Sequence, residues 1–482
     1  MKKWLSVILA ITLLLTAFGA FAEDAGSPPG DPPGDPPEGF DGGNPPGEPP
    51  EGFGGGNPPG DPPGGFGGGT PPGGGASNVT YTAATEINAD SAQLTRIDET
   101  YTSESADENA LLLSQMGITV DNPTVIKTGD SDGGDSCSFY GLNAAVLLKD
   151  GANVVITGGM VESSANGANA VFCYGGNGGT NGAEGDGTTL HISGTTITTT
   201  GDGSGGIMTT GGGVTYAENL TVTTSGRSSA AIRTDRGGGT VNVDGGTYTT
   251  NGLGSPAVYS TADITVKNAS LVSNLSEGVC IEGKNSITLE NCNLTANNTR
   301  CNGNATFLDS IMIYQSMSGD ADSGTSAFTM TGGSLTSLSG HMFHVTNTHA
   351  VITLSGVNLV NEGSDVLLSV CDDGWSGASN TADLVADAQA LSGALLVGSN
   401  STLTLTLRNG SSYEGYINGE IANASGEQIS DSIGMVSVSL DETSTWTLTA
   451  DTYITEFSGS ASNVVSNGYT LYVNGTAMEG TN

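Results

Sequence analysis

The stretch VNVDGGTYTTNGLGSPAVYSTADITVKNASLVSNLSEGVCIEGKNSITLENCNLTAN, residues 241–297, decides the fold. Val241, Ile264 and Ile287 are 23 apart, and so are Val243, Val266 and Leu289. Tyr248, Leu271 and Leu294 keep the same step, as do Asn251, Asn274 and Asn297. The apolar residues alternate as in strands, with no helical period. A strand-like repeat of this length cannot bury its apolar row alone, so successive turns must stack into a solenoid.

Sliding this template outward finds it again. Apolar-x-apolar, a Gly or Asn turn and a further apolar anchor recur at Ile118/Val120/Val125, Val154/Ile156/Val161 and Leu190/Ile192/Ile197. The pattern returns at Phe328/Met330/Leu335 and Ile352/Leu354/Leu359, with a version one residue shorter at Val214/Tyr216/Leu220. A third short strand recurs between these units, from NAAVLL at 143–148 through AAIRTD at 230–235 and PAVYST at 256–261 to DVLLSV at 365–370. Three strands per turn with inward alternation describe an all-β parallel β-helix. Asn251, Asn274 and Asn297 then stack at one corner, where their amides bond along the axis. No amphipathic helix is expected anywhere.

With this asparagine corner the chain resembles the right-handed parallel β-helix proteins of the pectate lyase-like class, over roughly residues 85 to 400. The resemblance implies a fold and leaves the reaction open. The expected organisation is a signal peptide at 1–22, a linker at 23–78, the β-helix at 79–400 and β-rich closing coils and cap at 401–482. The closing coils look like those of secreted adhesins.

The leader has Lys2 and Lys3, an apolar run from Trp4 to Ala17, and the small-x-small site Ala20-Phe21-Ala22. That pattern directs secretion, and nothing later is apolar enough to span a bilayer. Residues 23–78 repeat PPGDPPEGF-like units with Phe40, Phe53 and Phe66 at intervals of 13. Such a Pro/Gly-rich tether is expected to be disordered, with a reach of at most ~170 Å. The protein is therefore expected outside the cell, with display at the cell surface through this tether as one possible arrangement.

Among 482 residues there are 76 glycines, 50 acidic and 12 basic residues, for a net charge of −38. That charge repels nucleic acids and anionic membranes, and suits neutral glycans or divalent cations. It equally serves to keep a Thr- and Val-rich β protein soluble. The six cysteines match no CxxC-type metal site, and Cys173 and Cys292 read as buried thiols.

In a β-helix the outward residues of one strand form a flat face, with turns ~4.8 Å apart. On the third strand, alternation points Arg233, Asp235, Tyr259, Glu282, Tyr314 and His344 outward, with Arg236 and Trp375 nearby. Arg227, Arg233 and Arg236 are half of the chain's arginines, and His341, His344 and His349 are three of its four histidines. Rings stack on sugars while Arg and carboxylates bond hydroxyls or uronates, so this face is the expected site for a polysaccharide or a host or cell-wall glycan. An ordinary solvated β surface explains the same residues.

The catalytic candidates are His344 with Asp372 and Asp373, and Arg233 with Asp235 and Glu282. Arg233 and Asp372 lie five turns apart, ~24 Å, while glycoside hydrolysis needs two carboxylates within ~5–9.5 Å. A binding role is thus favoured over a polysaccharide lyase or glycoside hydrolase. A structural protein without specific ligand is a third reading. No cofactor is required. Ca²⁺ finds oxygen-rich loops at GDSDGGD and SGDADSGTS, with Asp130, Asp132, Asp135, Asp320 and Asp322 as candidate ligands. The sequence leaves the oligomeric state open.

Overall fold

Val241, Ile264 and Ile287 lie directly opposite one another on neighbouring strands, as do Tyr248, Leu271 and Leu294. The 23-residue step is therefore one full turn of a parallel β-helix. A computed structural model of the chain describes residues 79–375 and 380–482. The expected leader at 1–22 and tether at 23–78 lie outside the described residues.

Each turn supplies three strands. The third strands form one parallel sheet of 13, from Thr82–Ile87 through Val258–Ser260 and Val279–Glu282 to Ile417–Asn418. Its first two members, Thr82–Ile87 and Glu108–Leu113, precede the first third strand read from the repeat. In two turns the first and second strands run on as single strands, Gly213–Thr224 and Gly239–Thr250. Phe328, Ile352 and Leu384 continue the first-strand row, and all are buried. Burying each such side chain stabilises by about 1.5–3 kcal/mol relative to leaving it exposed.

The Val214/Tyr216/Leu220 register needs correcting. Leu190 pairs with Thr215, Ile192 with Ala217 and Ile197 with Val222. Thr215 and Ala217 point inward, while Tyr216 is 42% exposed and stacks on His191 at 4.8 Å. An apolar template misreads this turn because Thr215 is a buried polar residue. Its hydroxyl meets Thr209 Oγ1 at 2.7 Å, which satisfies it inside the core.

The corner between first and second strands needs a left-handed residue, which Gly and Asn adopt most readily. Asn268 and Asn291 take it with φ near +50°, at 53° and 52°. Asn268 Nδ2 also donates to Asp244 Oδ1 of the preceding turn at 2.7 Å. At the next corner Asn274 Nδ2 donates to Asn251 Oδ1 at 2.7 Å. The backbone N–H groups of Asn251, Asn274 and Asn297 each reach back to the previous turn at 2.8–2.9 Å.

A second ladder had no counterpart in the sequence reading. Ser204 N donates to Ser229 Oγ, and Ser229 N to Ser255 Oγ, both at 2.9 Å, and all three serines are buried. Beside them a Cβ on Gly226 would sit 1.8 Å from Gly201 O, and one on Gly252 1.7 Å from Gly226 O. The stacked turns touch backbone to backbone there, and only glycine fits.

The parallel ladder crosses residue 400 without interruption. Ser401–Arg408 pairs with Asn380–Asp387 before it and Met435–Leu440 after it. Two antiparallel pairs, Glu420–Ala422 with Gln428–Asp431 and Leu471–Val473 with Thr476–Ala477, break the pattern near the C-terminal end. At the other end, Arg96 pairs with Glu99 at 3.5 Å and Tyr101 bonds Glu99 at 2.8 Å. Arg96 stands opposite Val120 and Tyr101 opposite Val125, so polar groups enter two inward positions of this turn, where the next turns carry valine.

The one α-helix among the described residues is the short Asp135–Tyr140. Six residues are too few to carry a helical period, so the sequence holds no readable signal. Its Cys137 and Phe139 are buried against the outer face of the third-strand sheet.

Candidate functional site

Strand alternation does turn the expected residues away from the core. Arg233 lies opposite Tyr259, Tyr259 opposite Cys280, and Glu282 opposite Tyr314 on successive turns. The face they form is roofed, which corrects the expectation of a flat open surface. Arg233 is 8% exposed, Tyr259 and Tyr314 4%, Trp375 9%, and Glu282 and His344 0%. Tyr259, Cys280, Met312, Tyr314 and Trp375 form a second apolar layer with Ala230 and Ala305. The reason is the insertions that break the period in some turns: Ala305, Ser316, Ser318, Asp320 and Trp375, from such connections, pack against the third-strand face.

Six expected residues meet in one network. Arg233 pairs with Asp235, and its guanidinium carbon stands 5.3 Å from the Tyr259 ring centre. Tyr259 donates to Glu282 Oε2 at 2.5 Å and Tyr314 to the same oxygen at 3.2 Å. Ser316 and Ser318 donate to the other carboxylate oxygen. The Tyr314 ring packs 4.9 Å from Trp375. Burial pushes Asp235 up to about 6 despite Arg233, and it also raises Glu282 above its ordinary range.

Arg236 belongs to a neighbouring cluster. Its Nε donates to Asp320 at 2.9 Å, and the guanidinium lies 4.1 Å from the Phe139 ring centre. Asp320 is thereby engaged with a cation from the protein itself. Asp322 binds Lys284 at 2.8 Å, which lowers its pKa. Asp130 accepts from Asn166 N at 2.7 Å, while Asp132 and Asp135 are exposed. No three His, Cys, Asp or Glu side chains converge to hold a metal among the described residues. The two loops expected to bind Ca²⁺ use their aspartates in ion pairs and backbone bonds or leave them in solvent.

His344 and Asp373 come together, whereas Asp372 turns away to accept from Asn380 Nδ2 at 2.6 Å. His344 Nε2 lies 3.3 Å from Asp373 Oδ2, although the two are not aligned as a hydrogen bond. His344 Nδ1 and His341 Nδ1 each stand 2.8 Å from Ser369 Oγ. A serine hydroxyl has one proton, so at least one imidazole donates to it. Burial and the neighbouring His344 lower His341 to about 4. Serine, histidine and aspartate thus follow one another as in a nucleophile relay. Phe307 stacks on His344 at 4.5 Å, and Ser369 and His344 are 0% exposed, so no substrate reaches them. The cluster ties the roof to the sheet.

Two openings lie beside these clusters. A cleft of ≈ 40 Å³ runs between Tyr259, Glu277, Cys280, Tyr314 and Trp375. It has room for a water or two. A larger groove of ≈ 380 Å³ crosses the edge of the third-strand sheet. Its floor is the backbone of Gly212, Gly237, Gly238 and Gly239, and its walls carry Asn181, Glu184, Asp263, Lys284, Asn285 and Asp322. Of these only Asp322 was singled out from the sequence. Lys284 and Asn285 follow Gly238 and Gly239 at two 23-residue steps, but Asn181 and Glu184 come from a glycine-rich insertion that no spacing links to them.

No protein-family model, curated protein or solved structure matches this chain.

The site's geometry therefore carries the functional reading alone. All six cysteines are unpaired, and Cys173 and Cys292 are buried.

Proposed function

We propose that this is a secreted, surface-displayed β-helix that binds glycans without turning them over, and that the polar groove is the contact. The groove is the observation that carries the reading. Its ≈ 380 Å³ matches the lower range of small-ligand sites, and its walls offer amides, carboxylates and one ammonium. Glycine on the floor lets a ligand approach backbone N–H and C=O groups closely. The rings of Tyr259, Tyr314 and Trp375 serve the fold of the roof rather than the ligand, since they are buried.

The reading keeps the adhesin-like role and moves its contact from the third-strand face to that face's edge. On an array of plant, bacterial and host glycans, the mature chain should retain a subset. Asp263→Ala combined with Lys284→Ala should lower that retention at least tenfold while leaving the melting temperature unchanged. Equal retention by the double variant, or no retention by the wild type, defeats the proposal. A polysaccharide lyase or hydrolase of the pectate lyase-like class is the competing reading. Product formation on pectin or xylan, lost in Asp263→Asn, would install it instead.

A further inference from the structure

Behind the small cleft lies a set of buried oxygens whose hydrogen-bond accounting does not close. Glu277 lines the cleft, and its Oε1 accepts from Asn298 Nδ2 at 3.1 Å. Asn298 is 1% exposed, and its own Oδ1 has no partner among the described residues. Asp309 opens the strand Asp309–Tyr314, is also 1% exposed, and has no donor to either carboxylate oxygen. Burial raises Asp309 above its ordinary range, with Glu277 the next cause and Asp373 after it. Three acceptors are thus orphaned where each unsatisfied group costs about 1–3 kcal/mol, and more if charged.

A proton on Asp309 supplies a single donor and leaves the remaining acceptors unmatched. Gly278 N donates to Ser310 O at 2.8 Å and Val279 lies opposite Ile311, so Glu277 and Asp309 sit side by side on neighbouring turns, where one hard cation would serve these acceptors together. The donors are carboxylate and amide oxygens in an irregular set, which suits Ca²⁺ with its flexible coordination better than Mg²⁺ with its strict octahedron. A soft ion is disfavoured, because the donors Glu277, Asn298 and Asp309 offer oxygens only, with no imidazole or thiolate among them. The cleft, lined by Asn302 and Gly303 as well as Glu277, leads from solvent to the carboxylate.

We propose that Glu277, Asn298 and Asp309 form a calcium site at the base of the cleft. The ion clamps the connection that carries Asn298 to the strand that begins at Asp309. It is separate from the loops at 129–135 and 318–326, and it does not depend on the groove binding a glycan. Two carboxylates and one amide place it with the weaker extracellular calcium modules, with Kd on the order of 10⁻⁴–10⁻³ M.

The test uses the mature chain stripped with EDTA at pH 7. Terbium should give saturable luminescence sensitised by Trp375, which lines the same cleft, and CaCl₂ should displace it. CaCl₂ should raise the melting temperature where equal ionic strength from NaCl does not. Asp309→Asn should weaken calcium binding at least tenfold, while Asp132→Asn leaves it unchanged. Should Asp309→Asn fail to fold, Glu277→Gln is read the same way, and Trp375→Phe in the terbium assay localises the ion. No saturable binding by the wild type overturns the proposal. So does full affinity in Asp309→Asn or Glu277→Gln, or loss of the ion in Asp132→Asn.

Discussion

Tyr259 Oη donates to Glu282 Oε2 at 2.5 Å, joining neighbouring turns on the outside of the third-strand sheet. Both residues are buried there, beneath connections that the repeat does not contain. The outer face of the sheet therefore behaves as a second interior. Tyr259→Phe should destabilise the protein by about 0.5–3 kcal/mol, because Tyr314 and the two serines still serve the carboxylate. Urea unfolding at pH 7 measures it, and a neutral result would mean that solvent replaces the hydroxyl.

Asp235 gives the roof a pH dependence. Burial raises its carboxyl to about 6 against the ordinary 3.8, with Arg233 opposing. The folded state then holds the proton more tightly than the unfolded chain. The stabilisation is complete below pH 3.8 and is lost as pH rises through about 6. His341 acts oppositely, since burial lowers it from 6.5 to about 4 and its contribution falls away on acidification. Asp235→Asn should flatten the fall of melting temperature between pH 4 and pH 6, and an unchanged slope would remove Asp235 as its source.

Gly226 marks where the turns press together. A methyl group there would sit 1.8 Å from Gly201 O, and backbone on both sides prevents relaxation. Gly226→Ala should cost at least about 1–3 kcal/mol. Gly410→Ala makes a useful comparison, because nothing lies within 4 Å of its Cβ and its φ of +77° is the obstacle there, whereas Gly226 lies outside the left-handed region. A larger loss at Gly226 in thermal melts would show that the backbone contact costs more than left-handed strain, and no loss at Gly226 would show that the turns move apart to admit the methyl.

Asp373 is the pin of the roof. Its Oδ1 accepts from Thr306 N at 2.7 Å, Thr306 Oγ1 at 2.6 Å and Gly374 N at 2.6 Å, while Oδ2 faces His344. Against burial, His344 and these donors hold its carboxyl below the ordinary range. Asp373→Ala should free the segments around Thr306 and Trp375. Red-shifted tryptophan emission and faster limited proteolysis near these residues are expected, with the far-ultraviolet β signal retained. Unaltered emission and cleavage would show that Phe307 and the apolar layer hold the roof without it.

Much of this was legible in the chain, and its limits have physical causes. The rows at Val241 and Tyr248 were readable because an inward position admits few residue types and recurs every turn. Turn 213–224 was misread because Thr215 satisfies its hydroxyl internally. The outward placement of Arg233, Tyr259 and Glu282 followed from strand alternation. Their burial did not, since alternation says nothing of what folds across a face. Lys284 and Asp263 carried no signal because the groove also draws on the insertion that holds Glu184, 79 or more residues from either in sequence, and on the separate insertion that holds Asp322.

Periodicity within the chain was enough to dictate the parallel β-helix, its 23-residue turn and its asparagine corner, because stacking repeats the same local problem at every turn. The roofed outer face, the sealed His344 cluster, the serine ladder and the open groove were decided only in three dimensions. They arise where aperiodic insertions from different turns meet, and a contact between such segments leaves no spacing to read.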